Sequence, residues 1–185
     1  MDFVASLSRL AGSRRDVASM VESVASDLML APDFTDRTLL ALAMCLGGKS
    51  PDEVASLLTW REFESFCSKL FMASGYDVRE NIVLRKPRAQ IDIVAFGPSH
   101  LLSVDCKHWK RGHSPSRLQE IAQGQLSRSA RLRRTLTDSR PIVSVILSFS
   151  EPSGSFVDGV AVVPIRTLRD FLISVDSYSE LLEFM

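Results

Sequence analysis

Residues 90–108 read QIDIVAFGPSHLLSVDCKH, and this stretch decides the fold. Apolar residues alternate with other types over residues 90–96 and again over 100–108, which is typical of β-strands. The Gly-Pro-Ser run between them predicts a turn. Each strand carries an acid among apolar residues, which is costly unless the carboxylate is paired or bound to a cation. The stretch therefore predicts a hairpin with Asp92 on one strand and Asp105 on the other.

Alternation also predicts which side chains share a face of the second strand. Asp105 and Lys107 are two residues apart and point the same way, whereas Val104 and Cys106 point into packing. Two carboxylates and an ammonium group on neighbouring strands suit a hard divalent cation, beside a positive charge that orients water. The alternative is an ordinary ion pair between Asp105 and Lys107 on a solvated face, which leaves Asp92 unexplained.

The chain around the hairpin alternates between helix and strand patterns. Apolar periodicities and breaker residues predict, in order, a helix at Trp60–Ala73, a strand at Asp77–Leu84, the hairpin, a helix at Ser116–Leu136, strands at Ile142–Phe149 and Val160–Ile165, and helices at Arg166–Val175 and Ser179–Phe184. The order from residue 59 is αβββαβ and a shorter tail. We expect an α/β fold with a central mixed sheet of about four or five strands flanked by helices.

Residues 1–58 show helix patterns only, at Asp16–Leu28, at Thr35–Leu46 and from Ser50 onward. The last two could form a helix-turn-helix, but the second of them begins with two acids and has no base, which suits a DNA groove poorly. We expect this region to serve packing, dimerisation or an accessory DNA contact. The chain is thus divided into a helical region, 1–58, and an α/β domain, 59–185.

Composition narrows the class of protein. Of 185 residues, 45% are hydrophobic, which is enough to bury a core. No apolar run approaches the ~20 residues of a membrane span, and no basic segment leads into an apolar block at the start. The three cysteines are widely spaced, so neither a disulfide framework nor a zinc site is expected. These features predict a cytoplasmic protein without a membrane partner.

Charge is balanced in total but not along the chain. Lys and Arg number 22, as do Asp and Glu. Between Arg79 and Arg134, however, twelve basic residues stand against four acids, and two of those acids are Asp92 and Asp105. Such a basic surrounding is what a phosphate backbone requires.

The ordered motifs resemble the PD-(D/E)xK nuclease superfamily, and more specifically its Mrr-type branch, which is related to type IV restriction endonucleases. The resemblance covers about residues 59–150 and is carried by four runs, which read WREFE from Trp60, GYDV from Gly75, QIDI from Gln90 and VDCKHW from Val104. Two positions depart from the pattern. Isoleucine rather than proline precedes Asp92, and Asp105 stands where many Mrr-like members carry Gln or Glu.

The resemblance implies a restriction-endonuclease-like fold and a metal-dependent DNA endonuclease. Asp92 and Asp105 would hold Mg²⁺, for which Mn²⁺ would substitute, together with the backbone carbonyl of Cys106. Lys107 would position or deprotonate the attacking water. The family often adds a helix glutamate; periodicity does not choose between Glu62 and Glu64, but the family's Phe-Glu pair matches Glu64.

The resemblance also draws attention to the long helix, where Gln125 lies at the centre of the inward stripe. A buried amide there needs partners, and related branches place a helix glutamine near the catalytic groups; a purely structural amide remains the alternative. The predicted DNA contacts, to duplex or branched DNA, are Arg85, Lys86, Arg88, Trp109, Lys110, Arg111 and Arg128. A homodimer would allow cutting of both strands. Alternative functions are a Holliday-junction resolvase or other structure-selective nuclease, and a non-catalytic DNA-binding or assembly module.

Overall fold

The computed structural model describes residues 14–28, 30–33, 35–46, 48–55, 57–108, 114–149, 155–178, 180–183 and 185. In these ranges the helices are α1 (Arg14–Asp27), α2 (Arg37–Leu46), α3 (Pro51–Ala55), α4 (Trp60–Ala73), α5 (Pro115–Arg133) and α6 (Leu168–Ser174). The strands are β1 (Asp77–Leu84), β2 (Ala89–Phe96), β3 (Leu101–Lys107), β4 (Ile142–Ser148), β5 (Phe156–Val157) and β6 (Val160–Pro164). Within these ranges, no helix has both the length and the apolarity to cross a bilayer.

The strands form one mixed sheet in the order β1-β2-β3-β4-β6-β5. β1, β2 and β3 are antiparallel neighbours. β4 then runs parallel to β3, with α5 as the crossover, and β6 runs parallel to β4. A parallel pair needs such a crossover because a tight turn can only join antiparallel strands. The expected αβββαβ order and the flanked mixed sheet are confirmed.

The sheet is buried on both faces. One face packs against α4 and α6, in a core that extends to the amino-terminal helices and includes Phe63, Phe66 and Phe71. The other face packs against α5, through Leu118, Ala122 and Leu132. Every residue of β4 is buried, including Ser144 and Ser148, which interrupt its otherwise apolar sequence.

Helix α4 lies where its sequence signals place it. Thr59 is the N-cap, and its hydroxyl accepts the Glu62 N–H at 3.2 Å while the Glu62 carboxylate accepts the Thr59 N–H at 2.7 Å. This reciprocal capping box satisfies two N–H groups that a helix start leaves open. At the other end Gly75 has φ +86°, a left-handed conformation that stops the helix at little cost.

Two expectations about the carboxyl-terminal part are wrong. The sheet has six strands rather than four or five, because Asp158 and Gly159, both at positive φ, turn a two-residue strand back onto β6. The helix expected at Ser179–Phe184 does not form over residues 180–183, which are in turns or irregular. Backbone pairing replaces it: the Glu183 N–H donates to Gly159 O at 2.9 Å, and Met185 and Ile142 exchange two such bonds.

The amino-terminal helices share one hydrophobic core with the α/β domain, since Val21, Leu39 and Leu58 belong to the same cluster as Phe63. The Lys69 ammonium on α4 also lies 2.7 Å from Asp36 Oδ2. The helices therefore pack directly on α4. The division at residue 58 and a role in dimerisation stay predictions.

The turn at Gly159 provides a test of the tail's docking. An added Cβ at Gly159 would lie 2.9 Å from Glu183 Cβ and 3.1 Å from its backbone N, whereas at Gly75 it would meet nothing within 4 Å. Both positions have positive φ, so each Ala substitution costs about 1–2 kcal/mol of backbone strain. We expect Gly159→Ala to cost at least about 1 kcal/mol more, from the clash with the tail. Urea unfolding of both variants measures this, and equal losses would mean that the tail does not hold its place.

Candidate active site at the split between two strands

The site forms where β2 and β3 separate. Their ladder pairs Ile93–Phe96 with Leu101–Val104 and stops there. Beyond that point β2 continues beside β1 as far as Ala89, while β3 continues beside β4 as far as Lys107. Asp92 and Asp105 are the first residues past the last pair, one on each side of the split.

Asp92 satisfies a backbone group that the split leaves without a strand partner. Its Oδ2 accepts the Cys106 N–H at 2.8 Å. Burial raises the pKa of Asp92 to about 6, and the neighbouring Asp105 carboxylate acts in the same direction, against the lowering effects of the Cys106 N–H and Lys107. Asp92 is therefore a buried acid with a high affinity for either a proton or a cation.

Asp105 lies between two cations. Lys107 Nζ is 3.0 Å from its Oδ1 and 2.9 Å from its Oδ2. Arg128 Nη2, from α5, lies 3.0 Å from the same Oδ2. Asp105 is only 7% exposed, so the alternative of a solvated surface ion pair does not describe this carboxylate.

The strand geometry reverses at Asp92. Ile93 packs in the core on the α4 side, but Ile91, which is in phase with it, packs with Leu132 on the α5 side. In a regular strand both would point to one face. On β1, Asn81 is the residue that continues the ladder register opposite Asp92, and it has φ +54°, a left-handed conformation that asparagine tolerates better than most residues. The reversal lets Asp92 line a cleft on the α4 side of the sheet.

Glu64 faces Asp92 across that cleft, which has a volume of about 470 Å³ between α4, β1 and β2. Glu64 Oε1 is buried and has no hydrogen-bond partner among the described residues. Burial raises the pKa of Glu64 to about 7, with further contributions from Asp92, Glu80 and Asp105. Of the two helix glutamates that periodicity left open, Glu64 lines the cleft with Asp92 and Glu62 does not.

Glu62 has a structural position instead. One carboxylate oxygen accepts the backbone N–H and the hydroxyl of Thr59, and the other lies 3.1 Å from Arg37 Nε. Glu62 therefore holds the start of α4 against α2.

The cleft contains polar residues that the sequence analysis did not select. Gln90 Nε2 donates to Asn81 Oδ1 at 2.8 Å, and the buried Ser68 Oγ has no partner among the described residues. The Trp60 indole N–H lies 3.5 Å from the Cys106 carbonyl oxygen, the expected backbone ligand. An asparagine inside a strand pattern was a usable signal for Asn81, since Asn is rare in strands. Ser68 and Gln90 give no comparable signal.

Gln125 is fully buried under β3, at the centre of the inward face of α5 as expected. Its amide nitrogen lies 2.6 Å from the Ser103 carbonyl oxygen, and its Oε1 accepts the Arg128 Nε–H at 2.9 Å. Among the described residues, Arg128 links Gln125 to Asp105.

The expected DNA contacts divide into three groups, of which Arg128, beside Asp105, is the first. Arg85, Lys86 and Arg88 are exposed in the turn between β1 and β2. Arg131 of α5 donates to the Pro87 carbonyl, which joins this turn to the arginine-rich helix. Trp109, Lys110 and Arg111 lie outside the described residues.

A metal site of three protein carboxylates is not preformed. Among the described residues, no group of three or more His, Cys, Asp or Glu side chains is placed to hold an ion. Asp92 and Asp105, with the open Oε1 of Glu64 nearby, nevertheless offer the hard oxygen donors that Mg²⁺ prefers, and Mg²⁺ usually takes one or two carboxylates and keeps several waters. The donor set fits such an ion.

A mixed sheet flanked by helices, with two acids and a lysine at the split of its central strands, defines a restriction-endonuclease-like protein. Comparison with known families agrees: the Mrr catalytic domain family, described as restriction endonuclease, matches residues 55–163, and the chain belongs to that family. An uncharacterized protein of Archaeoglobus fulgidus is 29% identical over 124 residues, covering 65% of this chain and 95% of that protein. No solved structure matches the chain significantly.

The buried acid at the split predicts a pH-dependent gain in stability when its charge is removed. The folded pKa of Asp92 is about 6 against an ordinary 3.8, so ionisation destabilises the fold; this cost is absent below about pH 4 and complete above about pH 6. In the presence of EDTA, Asp92→Asn should raise the free energy of unfolding by roughly 1–3 kcal/mol at pH 8 and leave it nearly unchanged at pH 4. Urea unfolding at both pH values measures it.

Asp138→Asn is the control of opposite sign, because Arg140 holds the pKa of Asp138 at about 2 and the variant should lose stability at pH 8. A gain for Asp92→Asn that is equal at both pH values would contradict the electrostatic explanation.

Proposed function

We propose that this protein hydrolyses phosphodiester bonds of DNA as a Mg²⁺-dependent endonuclease of restriction type. One observation carries the proposal: Asp92 and Asp105 flank the split between β2 and β3, and Lys107 contacts Asp105 on the same strand. The family supplies the nuclease class. The metal, the substrate and the residue roles are our inference from the site.

Asp92 and Asp105 would hold the ion, with Cys106 O and Glu64 as further oxygen donors. The bound ion would supply Lewis-acid activation of water and neutralise charge on the phosphoryl oxygens. Asp92 is suited to this role because its carboxylate is buried and accepts one backbone N–H. A bound cation would therefore offset the desolvation cost of its negative charge.

Lys107 would orient the attacking water and stabilise the negative charge that grows on the phosphate. Its ammonium is held at 3.0 Å or less by both Asp105 oxygens, and its side chain is 31% exposed. The ammonium group is thus held in place by Asp105, while the side chain is accessible to a substrate. A positive group held in advance near developing charge stabilises the transition state without reorganisation.

Glu64 would assist the reaction either by exchanging a proton or by binding a water molecule. Its pKa of about 7 places the carboxyl near equal populations of both forms at neutral pH. A group in that range can accept a proton from water and return it. The open Oε1 gives it an acceptor site directed into the buried part of the cleft.

The DNA backbone would lie over the basic turn and the adjoining face of α5. The exposed residues Arg85, Lys86 and Arg88 are joined to α5 by the Arg131 contact to Pro87. Phosphate contacts of this kind position a duplex without reading its sequence. The roles of Trp109, Lys110 and Arg111, and a homodimer, stay predictions.

The first test is cleavage of plasmid, linear duplex, single-stranded and four-way-junction DNA with Mg²⁺ or Mn²⁺. Lys107→Ala should lower the cleavage rate by roughly 10²–10⁴-fold, because it removes the positive charge beside the reacting phosphate, while DNA binding remains. Lys69→Ala is the matched control, since Lys69 pairs with Asp36 on the far side of α4.

Metal-dependent cutting that is lost only in Lys107→Ala supports the proposal. Cutting confined to four-way junctions would replace the restriction type by a resolvase. No cutting of any substrate, with DNA binding intact and indifferent to metal, would contradict the enzyme and favour a binding module.

The two helix glutamates give a second, paired test. Glu64→Gln should slow metal-dependent cleavage roughly 10–100-fold without loss of stability, because it removes an acceptor but keeps the volume. Glu62→Gln should leave the rate unchanged and lower stability by about 0.5 kcal/mol, because glutamine keeps the capping box but loses the ion pair with Arg37. Initial rates and thermal unfolding separate the two effects, and the reverse pattern would assign the site to Glu62.

A further inference from the structure

A chain of four polar groups connects the interior of the sheet to the site. The Gln125 amide nitrogen lies 2.6 Å from Ser103 O and 3.2 Å from Ser103 Oγ. Gln125 Oε1 then accepts the Arg128 Nε–H, and Arg128 Nη2 reaches Asp105. Because Gln125 and Ser103 are fully buried, they fix the plane of the guanidinium group from behind.

Asp105 Oδ2 is an oxygen with charge partners but an open acceptor site. Lys107 Nζ and Arg128 Nη2 lie 2.9 and 3.0 Å from it. Neither donates a well-directed hydrogen bond to it, and this buried atom has no hydrogen-bond partner among the described residues. The oxygen is therefore buried and neutralised by two cations, and a further ligand must displace one of them to reach it.

Arg128 has hydrogen-bonding capacity to spare. Of its five N–H donors, Gln125 takes the Nε–H and Nη2 is directed to Asp105, so at least two N–H groups remain. The side chain is 24% exposed at the surface of α5 that also carries the contact to the basic turn. A guanidinium presented in this way suits a phosphate group in its fork geometry.

We propose that Arg128 is a phosphate-binding residue of the site, that it competes with the divalent cation for Asp105, and that Gln125 is its positioning residue. In the free protein Arg128 neutralises Asp105. With DNA bound, its remaining donors contact a phosphate beside the split. The inference rests on the proposed function. It assigns two effects to one arginine: a contact with DNA and a lower affinity of the site for the metal ion.

The two roles have opposite signs, which gives a sharp test. Removing a positive charge 3.0 Å from a metal ligand tightens metal binding, whereas removing a phosphate contact weakens DNA binding. A merely structural arginine would weaken both or neither.

The experiment measures Mn²⁺ affinity without DNA by electron paramagnetic resonance, and binding of a 30-base-pair duplex in EDTA over a salt series by fluorescence anisotropy. We expect Arg128→Ala to bind Mn²⁺ roughly 5- to 50-fold more tightly and to lower the slope of log K against log salt by about 0.9. Arg117→Ala is the matched control on the same helix, because Arg117 is exposed and already paired with Glu120 at 2.6 Å. It should change neither quantity.

Two further variants keep the test decisive if Arg128→Ala does not fold. Arg128→Gln removes the charge and should repeat both effects. Arg128→Lys keeps the charge and should restore the Mn²⁺ affinity, but it should cut more slowly than the wild type because an ammonium cannot bind Gln125 and Asp105 in the same fork.

An unchanged or weaker Mn²⁺ affinity in the neutral variants overturns the competition at Asp105, and an unchanged salt slope overturns the phosphate contact. Neither measurement requires cleavage. Absence of cutting by the wild-type protein would therefore count against the proposed function alone.

Discussion

The separation of β2 from β3 is the constraint on which the rest of the site depends. Ending a ladder inside a buried sheet leaves backbone groups without partners, and an unpaired buried N–H costs as much as a lost hydrogen bond. The Asp92 carboxylate accepts the Cys106 N–H and so removes that cost. The same bond holds a buried acid at the opening, opposite Asp105. The Asp92 side chain therefore both satisfies a backbone N–H and supplies a carboxylate to the site.

The two acids at the split are stabilised unequally. Asp105 lies between Lys107 and Arg128, whereas Asp92 has one backbone donor and a pKa raised to about 6 by burial. Because Glu64 lies on the same cleft with its own pKa near 7, negative charge accumulates on the α4 side and positive charge on the α5 side. A divalent cation suits the carboxylates at the split, including Asp105, and a phosphate suits the cations beside them on the α5 side. The arrangement therefore separates the two attractions that a nuclease must combine.

Local sequence patterns predict much of this fold and part of the candidate site. The observed bounds of α4 and β1 match those expected from the sequence, because the residues that delimit α4, Thr59 and Gly75, are unambiguous signals. The two-residue strand β5 was missed since it has too few residues to show alternation, although its Asp-Gly turn was visible. The contact of Arg128 with Asp105 could not be predicted, because helical periodicity orders residues around an axis but does not say which strand residue they reach. The change of face between Ile91 and Ile93 likewise lies outside what regular strand alternation predicts.

The amino-terminal helices support the site from behind. Arg37 pairs with Glu62, and the Thr38 hydroxyl lies 3.5 Å from the Glu62 carbonyl oxygen, both at the first turn of α4. Glu64 follows Glu62 by two residues, so its position over the cleft depends on where α4 begins. The capping box sets that start along the chain, while the shared core sets it in space. A helical region whose third helix carries no base thus has a physical reason to be present: it holds the helix that carries Glu64 against a sheet whose central strands have parted.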